Sequence, residues 1–121
     1  MEKVLLVGVN SGRDAEFERS MEELENLAQA CDLEVAARTA QNLSAVNTAF
    51  YIGSGKVEEV GRMAQMLEVQ LIIFNDSLTP TQQRNLQKAL DLPVWDRTGL
   101  ILEIFGRRAR TREARLQVES A

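Results

Sequence analysis

Residues 51–60 read YIGSGKVEEV, and their Gly-Ser-Gly-Lys looks like the end of a phosphate-binding loop. A P-loop has the pattern G-x-x-x-x-G-K-[ST], but Phe50 stands where its first glycine belongs. Val57 stands where its magnesium-binding hydroxyl belongs. The dinucleotide pattern G-x-G-x-x-G also fails, because Glu58 replaces its third glycine. The stretch therefore matches neither nucleotide-binding pattern.

The same stretch is typical of a helix start. Ser54 is a good capping residue, and the flanking glycines let the chain turn sharply into a helix. We interpret Ser54 as the helix cap. The alternative is a weak anion or nucleotide site formed by Ser54, Gly55 and Lys56, since the free N–H groups of a helix start attract anions.

The second candidate is the arginine-rich C-terminal segment. Residues 1–96 carry 8 basic and 15 acidic side chains, whereas residues 97–121 carry 6 arginines and 3 glutamates. The planar guanidinium group suits phosphate recognition, so this segment favours an anionic partner, with RNA first. The alternative is a solvated charged helix. The predicted RNA-binding residues are Arg107, Arg108, Arg110, Arg112 and Arg115.

A helical projection of the segment from residue 98 suggests how it is positioned. One stripe begins apolar and becomes basic, and it contains Ile101, Ile104, Phe105, Arg108, Arg112 and Arg115. We expect the first two turns to dock on the sheet and the remainder to project away from it. Arg107 lies off this stripe, where Glu103 at i−4 can pair with it.

Other kinds of chemistry have little support in the composition. The chain has no histidine and one cysteine, Cys31, so we predict no catalytic set, no metal site and no internal disulfide. A lone cysteine fits a reducing cytoplasm. No apolar run approaches the roughly 18 residues of a membrane span.

The elements that position these residues alternate between strand and helix. Strands are predicted at 3–9, 33–40, 69–76 and 92–96, and helices at 17–31, 55–67, 80–90 and from residue 98. Thr79, Pro80 and Gln82 form the clearest helix start, a capping box. The pattern predicts an α/β fold, a small four-stranded parallel sheet with helices on both faces. The pattern does not determine the strand order, for which we assume 2-1-3-4.

Polar residues follow the strands at the edge where parallel sheets usually bind ligands. We interpret Asp76 and Asp96 as turn and cap residues and not as a catalytic pair. Trp95 is expected in the core and Tyr51 in a partly exposed loop. The candidates at this edge are Asn10, Ser11, Arg13, Asn75, Asp76, Asp96, Arg97 and Thr98.

Three stretches together resemble the N-terminal domain of HflX-type GTPases, which are ribosome-associated GTP-binding proteins. They are FYIGSGKVEEV (50–60), IIFNDSLTPTQQRNLQKAL (72–90) and VWDRTGLILEIFGRRARTREARLQVE (94–119). The resemblance implies an α/β subdomain at 1–96 and, at 97–121, the first helix of a truncated helical hairpin. It also implies binding to the large ribosomal subunit and its RNA, in splitting or rescue of ribosomes under stress.

The chain departs from whole family members because it lacks the N-x-x-x-G-K-[ST] and N-K-x-D motifs of a GTPase domain. We therefore expect no enzyme activity and no cofactor in this chain. GTP and Mg²⁺ are implied only for a parent protein. Two alternatives stay open, a small nucleotide-binding α/β domain and a homodimerisation module that uses the C-terminal helix.

Overall fold

The computed structural model of the protein describes residues 2–12 and 15–107. Strands and helices alternate along this part of the chain. Residues 97–107 are helical and are called α4. The other elements are β1 (Lys3–Asn10), α1 (Phe17–Ala30), β2 (Glu34–Asn42), α2 (Ser54–Leu67), β3 (Leu71–Phe74), α3 (Pro80–Leu90) and β4 (Val94–Asp96).

The four strands form one parallel sheet in the order β2-β1-β3-β4. This confirms the predicted fold class and strand order. β1 lies in the interior of the sheet, where it pairs with β2 and β3, and β4 pairs only with β3 among the described strands. The sheet leaves β2 and β4 at its two edges.

Alternating residues of the central strands build a separate core on each face of the sheet. Val4 and Leu6 of β1 face α1 and α4, while Leu5 and Val7 face α2 and α3. All four side chains are fully buried. Successive side chains of a strand point to opposite faces, so a continuous apolar run requires cover on both sides. The two helical layers supply that cover.

Several strand ends differ from the predicted ones. β3 begins at Leu71, because Glu68 ends α2 in a left-handed conformation with a φ of 56° and Val69 donates back to the Ala64 carbonyl. Val69 and Gln70 therefore belong to the turn. β2 continues to Asn42, since its ladder with β1 extends over the whole of β1.

Gly8 marks the closest approach between β1 and α1. A Cβ atom at this position would lie 2.6 Å from Met21 Sδ and 2.9 Å from Phe17 Cζ. These distances are shorter than van der Waals contact, so the helix packs directly against the bare backbone of the strand. Among the described residues, no helix is long and apolar enough to cross a membrane.

Candidate functional site

The carboxyl end of the sheet carries the polar candidates, and the structure shows what each of them contacts. Asn10 accepts a hydrogen bond from Gly12 N at 2.9 Å, and Gly12 has a φ of 86°. The chain therefore makes a tight turn directly after β1. Asn75 is 5% exposed, and its backbone N–H donates to the Val7 carbonyl at 2.8 Å. Both residues bond to the protein itself.

Arg97, the first residue of α4, is the centre of a network at this edge. Its Nη1 donates to Asn75 Oδ1 at 2.9 Å and to Ser20 Oγ at 3.3 Å. Its Nη2 pairs with Glu23 at 2.9 Å. Asn75 Nδ2 in turn donates to Ser20 Oγ at 2.9 Å. These contacts connect β3, α1 and α4 through one guanidinium group, which gives Arg97 a structural role.

Asp96 caps α4. Its Oδ1 accepts from Gly99 N at 2.8 Å and its Oδ2 from Leu78 N at 2.9 Å. The predicted role of Asp96 as a cap is confirmed. Residues 96–99 also spell D-x-x-G, a short pattern found in GTPase switches, but here its carboxylate satisfies the open N–H groups of a helix start.

Asp76 is bonded to the loop before α2. Its Oδ2 accepts a hydrogen bond from the Tyr51 hydroxyl at 2.6 Å, and the Tyr51 ring meets Phe74 edge to face at 6.1 Å. Burial of the phenol raises the pKa of Tyr51 above its usual value, and the bond to the carboxylate raises it further. Tyr51 is half-buried, as expected for this loop aromatic.

The start of α2 corrects the predicted cap. Gly53 is the N-cap residue, in an extended conformation, and Ser54 is the first helical residue. No side chain caps this helix start. Gly53 N donates instead to Gln41 Oε1 of β2 at 3.0 Å. The turn into the helix is therefore fixed by a neighbouring strand, which local spacing does not reveal.

Lys56 already has oxygen partners within the domain. Its Nζ donates to Thr39 Oγ1 at 2.7 Å and pairs with the Glu59 carboxylate, and its side chain is 11% exposed. The hydrogen bond from Lys56 lowers the pKa of Glu59, as does its charge. An anion bound beside Gly55 would therefore compete with Glu59 for the ammonium group.

α4 docks on the sheet through a different stripe from the predicted one. Leu100 is fully buried in the core beneath α1, and Ile104 packs against that core. Phe105, which was expected on the docked stripe, is 59% exposed. The docked face therefore contains Leu100 and Ile104 in place of the predicted Ile104 and Phe105, and Arg97 holds the start of the helix against α1. The expectation that the first turns dock is confirmed, but the predicted face is wrong.

Arg107 lies on this docked side. Its Nη1 donates to the Cys31 carbonyl at 2.7 Å and lies 3.9 Å from Asp32 Oδ2. Its Nε donates to Glu103 Oε1 at 3.2 Å, which confirms the predicted i, i+4 pair. The Arg107 side chain is 41% exposed, and its guanidinium group is engaged at the C-terminus of α1. The other predicted RNA-binding residues, Arg108, Arg110, Arg112 and Arg115, lie outside the described residues, as does Arg13.

The outer side of α4 carries two exposed apolar residues, of which the sequence projection placed Phe105 on the docked stripe and did not single out Leu102. Leu102 is 64% exposed and Phe105 59%. Their i, i+3 spacing was the available signal. Leu102 borders an open groove of about 330 Å³, and the groove residues are Gln83, Trp95, Asp96, Thr98, Gly99, Leu102 and Glu103. Within the described part of the chain, no group of three or more potential metal ligands occurs.

Comparison with known families identifies the domain. Residues 18–106 match the family described as GTP-binding GTPase N-terminal. The chain belongs to this family. The match covers all of the described elements except β1, the first residue of α1 and the last described residue of α4.

Similar whole proteins include GTPase HflX of Alkalihalophilus pseudofirmus, which is 44% identical over all of this chain. GTPase HflX of Magnetococcus marinus is 50% identical over 90% of the chain, and that of Escherichia coli is 34% identical over 99%. The chain spans 29%, 25% and 28% of these three proteins. It therefore corresponds to the N-terminal part of HflX proteins.

A solved structure supports the same fold. The chain resembles SsGBP in its crystallised complex with GDP, with a TM-score of 0.71 and 27% identity, over 98% of this chain and 33% of that one. A GTP-binding protein from Sulfolobus solfataricus in complex with GDP has a TM-score of 0.64 at 24% identity, over 87% and 30% of the two chains. The second likeness concerns the fold alone.

Proposed function

We propose that this chain is the ribosome-binding N-terminal domain of an HflX-like GTP-binding protein. Its arginine-rich segment, residues 97–121, contacts RNA of the large ribosomal subunit. In the whole protein this contact serves the splitting or rescue of ribosomes under stress, in the cytoplasm. GTP and Mg²⁺ belong to a GTPase domain outside this sequence. The observation that carries the proposal is the family match over residues 18–106.

The distribution of charge supports an RNA contact at the C-terminal segment. Residues 1–96 have a balance of −7, from 8 basic and 15 acidic side chains, whereas residues 97–121 have a balance of +3, from 6 arginines and 3 glutamates. An acidic body repels a polyanion, so RNA is attracted to the basic segment and is oriented by it. Arg108, Arg112 and Arg115 are the residues we assign to phosphate contacts.

Co-sedimentation with large ribosomal subunits over a range of salt concentrations tests this proposal. We expect binding to weaken steeply with salt, because each phosphate contact adds about 0.7–0.9 to the slope of log K against log salt. Replacing Arg108, Arg112 and Arg115 together by alanine should flatten that slope by about two units.

The matched control is Arg84→Ala, which removes an exposed arginine from α3. We expect it to leave the slope unchanged. If the triple variant retains the wild-type slope, these arginines do not contact phosphate. If the wild-type chain does not pellet with subunits at low salt, the domain does not bind ribosomes by itself.

A second candidate function is self-association through α4. The exposed side chains of Leu102 and Phe105 favour it, because their apolar surfaces are covered by nothing in the described chain. Light scattering over a concentration series should then show a dimer that Phe105→Glu converts to a monomer. A wild-type chain that stays monomeric throughout excludes this candidate and leaves the RNA proposal unaffected.

A further inference from the structure

The two arginines of the described part of α4 both bind α1. Arg97, at the start of α4, contacts Ser20 and Glu23 in the N-terminal half of α1. Arg107, ten residues later, contacts Cys31 and Asp32 at the C-terminal end of α1. The arginines therefore connect the same two helices at two separate places.

The spacing of these contacts means that the two helices run side by side. Ten helical residues rise by about 15 Å, and the eleven residues from Ser20 to Cys31 rise by about 16 Å. Leu100 and Ile104 lie between the two attachment points and pack into the core that α1 covers. α4 is thus fixed along α1 at both ends and in the middle.

Arg107 also completes the end of α1. A helix leaves its last four carbonyl groups without partners inside the helix, and its C-terminus attracts cations. α1 has no basic residue in its last turn. Arg107 supplies both a donor, at 2.7 Å from the Cys31 carbonyl, and a positive charge near that terminus.

We infer that Arg107 is a positioning residue and not a phosphate ligand. By binding the end of α1 it fixes the last described turn of α4, to which the arginines from Arg108 onward are covalently joined. This inference rests on the proposed RNA-binding function and divides the arginines into two roles. Arg107 sets where the RNA-binding arginines are presented, and Arg108, Arg112 and Arg115 make the contacts.

Cys31 provides a probe of this contact that does not depend on RNA. It is the only cysteine of the chain, it is fully buried, and its own carbonyl accepts the Arg107 hydrogen bond. If Arg107 holds α4 over this thiol, its removal should open the site locally. We expect Arg107→Ala and Arg107→Met to raise the rate of thiol labelling by about tenfold, as for a local opening. The methionine variant keeps the apolar stem and removes only the donors.

Two controls accompany the labelling experiment. Arg84→Ala, which removes an exposed arginine from α3, should leave the rate unchanged. Thr79→Ala, on the opposite face of the sheet, weakens the whole fold without touching Cys31, so the rise with Arg107→Met should exceed the rise with Thr79→Ala. A labelling rate in Arg107→Met no higher than in these controls overturns the inference.

The salt dependence of binding to large ribosomal subunits distinguishes a positioning residue from a phosphate ligand. We expect Arg107→Met to weaken binding to large ribosomal subunits by about threefold or more, which is in the range for residues that act on a distant site. The slope of log K against log salt should stay at its wild-type value, because no phosphate contact is lost. A slope reduced by about 0.7–0.9, as expected for Arg112→Ala, makes Arg107 a phosphate ligand and overturns the inference. An unchanged affinity overturns it too. If the wild-type chain binds no subunits, the proposed function fails, and thiol labelling alone decides the position of α4.

Discussion

Tyr51 adopts a left-handed backbone conformation with a φ of 67°. This conformation costs a residue other than glycine about 1–2 kcal/mol. Two backbone hydrogen bonds between Tyr51 and Asn47, at 2.9 and 3.2 Å, hold the strained residue in place. Its hydroxyl binds Asp76 at 2.6 Å, beyond the end of β3. The Tyr51 side chain thus helps to tie the loop before α2 to the end of β3.

The first prediction concerns this hydroxyl. Tyr51→Phe keeps the ring and removes the hydrogen bond to Asp76, so the free energy of unfolding near neutral pH should fall by about 1–2 kcal/mol. Urea unfolding followed by circular dichroism measures the change. Asp76→Asn, which keeps an acceptor oxygen, is the matched variant and should lose less. A Tyr51→Phe variant as stable as the wild type contradicts a stabilising role of the bond.

The same residue predicts a pH dependence at the alkaline end. The pKa of Tyr51 is raised in the folded state, whereas an unfolded tyrosine titrates near pH 10. The stabilisation by the protonated phenol is therefore complete below about pH 10 and is lost as the pH rises toward the folded pKa. Unfolding curves should show a steeper loss of stability above about pH 10 in the wild type than in Tyr51→Phe. Parallel losses in the two proteins contradict the raised pKa.

Among the elements, α3 and α2 begin in different ways. Thr79 and Gln82 form a capping box, with Gln82 N donating to Thr79 Oγ1 at 3.1 Å and Thr79 N to Gln82 Oε1 at 2.9 Å. α2 begins at Ser54 without a side-chain cap. We predict that Thr79→Ala lowers the free energy of unfolding by about 0.5–2 kcal/mol, and that Ser54→Ala changes it by less than about 0.5 kcal/mol.

Denaturant unfolding of the two variants side by side checks this prediction, and Thr79→Ser serves as the control that keeps the capping oxygen. A loss with Ser54→Ala as large as that with Thr79→Ala means that Ser54 caps α2 in solution. Equal stability of Thr79→Ala and the wild type means that the capping box contributes nothing.

The starts of α3 and α2 show which features of the fold could be predicted from the sequence. The start of α3 depends on three neighbouring residues, so the pattern predicts it correctly. The start of α2 depends on a bond from Gly53 to Gln41, twelve positions away, and the sequence prediction chose Ser54. The parallel sheet with helices on both faces followed from the alternation of apolar strands and helices, because parallel strands need crossovers and both faces need cover. That alternation did not determine the strand order.

In the candidate site too, contacts between neighbouring residues were predictable and contacts between distant residues were not. The pair between Glu103 and Arg107 follows from helical spacing, whereas the bond from Arg107 to the Cys31 carbonyl joins residues 76 positions apart. Helical spacing alone also selected Phe105 for the docked face. The actual face, with Leu100 at its centre, depends on where α1 lies. Contacts within one turn of helix were predictable, and contacts between elements were not.

For the whole molecule, folding and RNA binding should be separable. Every buried residue of the two cores lies between Val4 and Leu100. Truncation after Arg107 therefore keeps every buried core residue of the described part of the chain, and we predict that the free energy of unfolding changes by less than about 1 kcal/mol. The truncation removes four arginines and two glutamates, so the net charge changes from −4 to −6.

Two measurements on the truncated chain test this separation. Denaturant unfolding should show the stability of the full chain, and co-sedimentation should show that binding to large ribosomal subunits is lost. A truncated chain that unfolds at much lower denaturant assigns a folding role to residues 108–121. If the truncated chain still pellets with subunits, the ribosome contact lies in the α/β body.

The absence of a side chain at Gly8 determines how deeply α1 sits on the sheet. A single added methyl group would crowd Met21 Sδ and Phe17 Cζ, so these side chains or the helix that carries them would have to move. α1 carries both attachment points of α4. A shift of α1 would therefore also move the described part of α4. One missing carbon atom in an interior strand thus affects the seating of two helices.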